Sequence, residues 1–546
     1  MNFSGLFFQE KDSKMSGKLS TLLKIQSFDL KISLLLYWIL AALLFPFFRY
    51  KMYPDVISYI SIAQKYLNGN VYEALNGYFA PMYSWLLMPL LLTGLPPLIA
   101  IKLLTLFIGM FSIISSAILM NKLEIHKPIQ NIILLTLAPV MVYFVYAYNT
   151  PDLLLVCVLL FYFLYLFKNS YSSKTSNGFI TGVLGGIAYL SKYYAFPFFL
   201  VHFPVINILH YYRSKTKHEK HQVRKNFLVG LIAFSILSGV WILAISLKYN
   251  EFTITTSAKY VYYIMEPGTK GHPVGYQGFF NPTSKDSKSA WEDPSKLIQH
   301  SWNPLKSIND IKHQIKLSLE FTQRVIDSFL AFSFFSFAIL FSYLLIYLTP
   351  LNKNSLKRMH WFPLISLMIY ASGFILVLPV ERYLWIDAIL ILFMGGMVLE
   401  ELFKSDFFTP HRKKILLSFF VLSFWIHPFQ QLALEQNAEK DVWELSQVLK
   451  NKYHISGNFA SFSKYKKPLY LAFFMDSKFY GAAREGCTGE ELVQDLIKND
   501  IDYFFVWGRP GNNFSFIDEK YPQLYRFEEI TKGEIPTLRI FKIKKE

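Results

Sequence analysis

Four ionisable side chains in this sequence stand at the ends of long apolar blocks: Asp55, Asp152, Lys192 and Arg382. Charge in such places is costly to keep, which makes it informative about function. Asp55 follows Pro54 and opens a segment, PDVISYISIAQKYLNG, whose Val56, Tyr59, Ile60, Ala63 and Leu67 share one helical face. That spacing predicts a helix lying along a membrane surface. Two roles are open to Asp55, a helix N-cap and a general base, and one carboxylate can fill both. Asp152 opens the block TPDLLLVCVLLFYFLYLF beside Tyr148 and Asn149, with the same capping alternative. Lys192, in GGIAYLSKYYAFPFF, has Tyr189, Tyr193 and Tyr194 as neighbours, and either snorkels to an interface or holds an anion. Arg382, in LPVERYLWIDA, needs an anionic partner, either a nearby carboxylate (Glu381 or Asp387) or a bound phosphate. Taken together, the two cations suit a phosphate, and a carboxylate suits removal of a proton from a hydroxyl.

The elements that must position these groups are membrane spans. Of the 546 residues, 53% are hydrophobic and only 17% charged, against about 25% in soluble chains. The apolar residues come in blocks of the length that crosses a bilayer. Eleven spans are expected, at about 32–48, 97–120, 129–147, 152–167, 178–191, 194–211, 227–247, 327–348, 361–378, 384–400 and 415–431. The net charge of +17 raises the question of nucleic acid, but the basic residues collect in short loops between apolar blocks, so no nucleic-acid partner is expected. One set of segments, including Arg213–Lys225 and Lys404–Lys414, carries 21 Lys and Arg; the opposite short segments carry 5. The positive-inside rule puts the first set, and the N-terminal segment 1–31, in the cytoplasm. An odd number of spans then puts residues 432–546 outside, with the loops 49–96 and 248–326. The first 30 residues lack the pattern of a cleaved signal peptide.

The loop 248–326 is rich in Gly, Pro, Ser and Asn and reads as a long irregular segment with short helices. Its His272, Trp291, Glu292 and Asp293 are candidates to close over a substrate, although His272 reads better as a surface residue than as a ligand. The C-terminal part reads as a small α/β domain. AEKDVWELSQVLKNKY and GEELVQDLIKND have helical periodicity, and LYLAFF, IDYFFVWG and TLRIFKI have strand composition. Cys157 and Cys487 are not expected to pair, and no Cys/His metal spacing occurs.

The order of these motifs resembles the bacterial lipid-dependent glycosyltransferases of the GT-C class: protein O-mannosyltransferases, lipid A aminoarabinose transferases and rhizobial lipopolysaccharide sugar transferases. The resemblance runs over most of residues 30–400, through PDVISYISIAQKYLNG, TPDLLLVCVLLFYFLYLF, GGIAYLSKYYAFP and ERYLW. It implies an all-α polytopic GT-C fold with the small α/β domain outside the bacterial cytoplasmic membrane. It also implies a polyprenyl-phosphate sugar donor and an inverting transfer to a hydroxyl of a lipid, glycan or protein. The family's first-loop Asp falls on Asp55, its second acidic position on Asp152, and its outer Arg on Arg382. Many relatives carry Asp-Glu in the first loop, where this chain has Asp55-Val56, and no Asp-x-Asp stands there. No metal or other cofactor is therefore expected. The roles expected are Asp55 as base, Arg382 and Lys192 on the donor phosphate, and Asp152 placing the acceptor or the first loop. A transporter or lipid flippase is the rival from another class. Transporters, however, place charge near the midplane in repeated, broken helices, and no internal repeat is seen here. A catalytically silent scaffold is a third reading.

Overall fold

The computed structural model describes residues 28–298, 300–348, 360–508 and 514–544. The N-terminal residues 1–27 and the basic loop with Lys353, Lys357 and Arg358, both used in the orientation count, lie outside the described residues. Helices dominate. Among the described residues seven helices qualify as membrane spans by length and apolar composition, among them Pro97–Lys122, Lys127–Ala147 and Lys217–Tyr249, or eight if one bent pair counts as a single span. This differs from the eleven expected. Asp152–Leu166, Thr175–Ser191 and Trp361–Leu376 are helices of 15, 17 and 16 residues, and the expected span 327–348 is broken. Ile308–Phe332 and Ser336–Leu348 meet at a 92° bend. Ser333 is extended there; its hydroxyl meets that of Ser423, while the Ser336 hydroxyl donates back to the Phe329 carbonyl. The helix starting at Ile308 also shortens the irregular outer loop, which was expected to run to residue 326.

Glycine lets two of the helices touch backbone to backbone. A Cβ on Gly178 would lie 2.2 Å from the Asn226 carbonyl oxygen, and one on Gly182 would lie 2.0 Å from that of Gly230. Thr175–Ser191 is thereby seated against Lys217–Tyr249, and its far end delivers Lys192.

An outer layer covers one end of the bundle. The helix Pro54–Leu67 is buried on nearly every face, not half-exposed on a membrane surface as its periodicity predicts. Met82–Leu92 and the helix Lys466–Met475 pack on either side of it. The C-terminal unit is a five-stranded sheet of order β2-β1-β3-β5-β4, formed by β1 Asn458–Ser461, β2 Lys478–Ala482, β3 Tyr503–Trp507, β4 Glu528–Glu529 and β5 Leu538–Lys542. β1 runs parallel to β2 and β3, and β5 is antiparallel to β3 and β4. LYLAFF, expected as a strand, lies within the helix Lys466–Met475. A short unbroken apolar run has no periodicity to separate the two, and here Leu469, Tyr470, Leu471 and Ala472 are all buried. Cys157 and Cys487 are both free and buried.

The bundle and the α/β unit are joined where the helix Pro410–Leu434 ends. Lys51, just after the first span, pairs with Glu435, and the Asn437 amide donates to the Phe47 carbonyl at 2.9 Å. Glu439 sits in this joint with a left-handed backbone (φ 60°) and a buried Oε2 that has no hydrogen-bond partner. Burial pushes its carboxyl up to about 7 from the ordinary 4.5, against the opposing pull of Lys51. A carboxyl raised in the fold contributes stability that is fully present below pH 4.5 and is lost as pH rises through about 7. Glu439→Gln should therefore raise the melting temperature of the detergent-purified protein at pH 7.5, and the gain should vanish near pH 4.5. A pH-independent difference between the two proteins would contradict this assignment.

Candidate active site

Asp55 lies in the first turn of the helix Pro54–Leu67, after Tyr53 at the N-cap. It makes no capping hydrogen bond, and neither does Asp152 at the start of Asp152–Leu166. Both carboxylates therefore keep the favourable field of a helix N-terminus without being used up as caps. The capping alternative is corrected for both residues.

Their partners come from distant parts of the chain. Arg382 lies in a single 3-10 turn, Glu381–Leu384, that precedes Trp385–Leu402. Its Nη2 donates to Asp55 Oδ2 at 3.0 Å, and its Nε lies 3.4 Å from Asp152 Oδ2. Lys192 pairs with Asp152 Oδ1, and the Thr150 hydroxyl donates to Asp152 Oδ2 at 2.7 Å. The result is an alternating chain of two carboxylates and two cations. Neither Glu381 nor Asp387 is the partner of Arg382. Glu381 accepts from the Tyr143 hydroxyl at 2.7 Å and faces His427 Nε2 at 3.0 Å, while Asp387 is fully buried with no hydrogen-bond partner among the described residues.

Aromatic rings enclose the cations. The Arg382 guanidinium lies 4.3 Å from the Tyr53 ring centroid and 5.0 Å from that of Tyr148, and Lys192 Nζ lies 3.5 Å from that of Tyr383. These contacts add cation–π attraction. Arg382 Nη1, also buried, has no hydrogen-bonding partner of good geometry. Tyr53, Thr150 and Tyr383 were not singled out from the sequence. The only signal was their place next to Pro54, Asp152 and Arg382.

The irregular loop that follows Lys217–Tyr249 reaches the network through Trp291, whose Nε1 donates to Asp55 Oδ1 at 3.1 Å. His272 is not a surface residue. It is half-buried, bonded to the Tyr260 hydroxyl at 2.8 Å and set edge-on to Trp291 at 4.8 Å. Burial lowers its imidazole pKa below the ordinary 6.5, so it is neutral at pH 7. Asp293 faces elsewhere, accepting from the Tyr249 hydroxyl at 2.7 Å. Glu292 forms a buried pair with Lys65 at 2.6 Å, which ties the loop to the helix that carries Asp55. The other side of the loop is laid along the sheet edge. The Phe479 amide of β2 donates to the Lys288 carbonyl at 2.8 Å, and the Phe280 amide donates to the Tyr480 carbonyl at 2.7 Å. Covering β2 in this way also satisfies an edge that would otherwise be open. The α/β unit thus holds the loop that holds Asp55.

Asp55, Asp152, Lys192 and Arg382 all line a cleft of about 680 Å³. Its remaining wall is largely apolar, with Phe196, Pro197 and Leu200 on one helix and Phe374, Val377 and Leu378 on another segment. Leu200 is exposed, so the apolar wall runs out to the surface of the bundle. Among the described residues, no group of three or more His, Cys, Asp or Glu side chains is placed to hold a metal ion. The cleft offers a charged head and an apolar trough, the shape of a site for an amphiphile with an anionic group.

No protein-family model and no curated protein matches this chain by sequence. Solved structures do match in fold. ArnT from Cupriavidus metallidurans bound to undecaprenyl phosphate superposes with a TM-score of 0.58 at 11% identity, over 96% of this chain and 98% of that one. The same enzyme in the apo state gives 0.57 at 11% identity, over 93% and 97%. The apo oligosaccharyltransferase of Archaeoglobus fulgidus gives 0.53 at 12% identity, over 88% of this chain and 69% of that one. With its apolar helices, its terminal sheet and these neighbours, the chain is a multi-pass membrane protein with the GT-C fold.

Proposed function

We propose that the protein is a glycosyltransferase that moves a sugar from a polyprenyl-phosphate donor to a hydroxyl of a lipid, glycan or protein acceptor. The observation that carries this reading is the single cleft in which a base-competent carboxylate and a partly unsatisfied arginine share a head that opens into an apolar trough. The isoprenoid chain lies along Phe196, Leu200 and Phe374, and the donor phosphate enters beside Arg382 and Lys192. Among the described residues Arg382 Nη1 has no hydrogen-bond acceptor of good geometry, so the guanidinium is not fully used by the two carboxylates. A phosphate that draws Arg382 and Lys192 toward itself loosens both from the carboxylates and frees Asp55 Oδ2 from its ion pair. Asp55 then takes the proton of the acceptor hydroxyl as its oxygen attacks the anomeric carbon. The bond from that carbon to the phosphate oxygen breaks, and polyprenyl phosphate leaves with its charge held by Arg382 and Lys192. Attack from the side opposite the phosphate inverts the anomeric centre. Trp291 fixes the rotamer of Asp55 by holding Oδ1. No step of this scheme requires a metal.

The same reading puts the cleft at the outer face of a bacterial cytoplasmic membrane, with residues 432–546 outside. A reporter active only outside the cytoplasm should work when fused after Glu546 and be silent when fused near Lys217. The reverse pattern would invert the membrane orientation and the accessible face with it.

Two substitutions test the chemistry. Asp55→Asn keeps the volume and a hydrogen-bonding oxygen but cannot take the proton. Turnover with a polyprenyl-phosphate sugar should fall by roughly 100-fold or more while the protein still folds. Arg382→Lys keeps the charge and loses the planar fork, so donor binding should weaken about 10-fold or more in the folded fraction. Normal turnover in Asp55→Asn, or unchanged donor affinity in Arg382→Lys, would remove that residue from the role given to it.

A further inference from the structure

The block PLIAIKLLTLFIGM carries one charge, Lys102, in the helix Pro97–Lys122. It is fully buried and does not line the cleft. Its ammonium donates to the Lys51 carbonyl at 2.6 Å and to Asn149 Oδ1 at 3.1 Å. Among the described residues no carboxylate forms an ion pair with it. A buried ammonium held only by neutral oxygens is an expensive feature where a methionine would pack.

The location of its two acceptors gives the expense a purpose. Lys51 lies in the short link between the first span and the helix that bears Asp55. Asn149 lies in the link before Asp152, with a left-handed backbone (φ 52°). Asn149 is held from two more directions. Its amide donates to the Val145 carbonyl at 2.7 Å, its carbonyl accepts from the Tyr83 hydroxyl at 3.0 Å, and that hydroxyl also meets Thr105 on the helix of Lys102. Lys51 is fixed from its other end by Glu435. One strut therefore connects the two segments that deliver the two carboxylates to Arg382.

We infer that Lys102 is a positioning residue for the transfer reaction: it sets the spacing of Asp55 and Asp152 from beneath, without touching either substrate. The inference rests on the glycosyl-transfer reading for its kinetic consequence, but not for its structural one. A misplacement of the order of 1 Å at a reacting group lowers turnover by about 100-fold.

Lys102→Met fills the same volume and removes the ammonium. Turnover of the folded protein should fall by about 10- to 100-fold, with KM for the polyprenyl-phosphate donor changed by less than about 3-fold. Hydrogen exchange should quicken at the backbone amides of residues 51–56 and 149–154 and stay unchanged in the sheet. Asn149→Ala, which leaves the ammonium on the Lys51 carbonyl, should show the same kinetic pattern more weakly. The double variant should be no slower than Lys102→Met alone. Asn149→Ala and its exchange pattern decide the matter if Lys102→Met does not fold. Turnover in either variant within about 2-fold of wild type would overturn the inference, as would unchanged exchange in both segments or fully additive losses. If the wild-type protein transfers no sugar, the functional reading fails instead. The exchange pattern then still decides whether Lys102 is the strut.

Discussion

A guanidinium at the edge of a membrane domain has to be matched by negative charge, and the arrangement of this protein follows from how Arg382 is matched. Asp55 and Asp152 both turn toward it, and Lys192 balances the second carboxylate. Each of the four residues comes from a different junction between helices. The pairing therefore fixes the relative positions of the helix Pro54–Leu67, the starts of Asp152–Leu166 and Trp385–Leu402, and the end of Thr175–Ser191. Buried ion pairs of this kind contribute little net stability compared with apolar packing. Their value here is geometric, since they hold four charged groups at fixed spacing at one end of the cleft.

The outer layer serves the same network. Trp291 holds the free oxygen of Asp55, Glu292 and Lys65 tie its loop to the Asp55 helix, and β2 takes the other side of that loop into the sheet. The α/β unit, which the sequence leaves without an assignable motif, thus has a mechanical link to the site. It has its own hydrophobic core around Leu492, Leu496 and Phe504. The link runs from β2 to the loop by backbone hydrogen bonds and from the loop to Asp55 by the Trp291 side chain.

The charged residues of the site were legible because apolar blocks make every charge conspicuous, and the four that stood at block ends are the four that meet. Their partnerships were not. Arg382 and Asp55 are 327 positions apart, and local reasoning offered Glu381 and Asp387, the two carboxylates nearest in sequence. Asp55 and Asp152 read as caps because composition at a helix start cannot say which way a side chain turns. Lys102 was not singled out from the sequence, because its acceptors are a backbone carbonyl and an amide, groups that composition does not mark. In the fold, IDYFFVWG and TLRIFKI form strands as their β-branched and aromatic content predicts, whereas LYLAFF is helical. The break at Ser333 was hidden inside a run apolar enough to read as one span.

In the proposed function the charged head of the cleft receives a phosphate whose lipid tail occupies the apolar trough. The most direct measurement is binding of a polyprenyl phosphate and of the corresponding polyprenol to the detergent-purified protein, compared by native mass spectrometry. One tightly held polyprenyl phosphate per chain is expected, with the alcohol bound at least about 10-fold more weakly because it offers Arg382 and Lys192 no anion. Equal retention of the two lipids would mean that the trough alone selects them, and would contradict the role given to the ion-pair network.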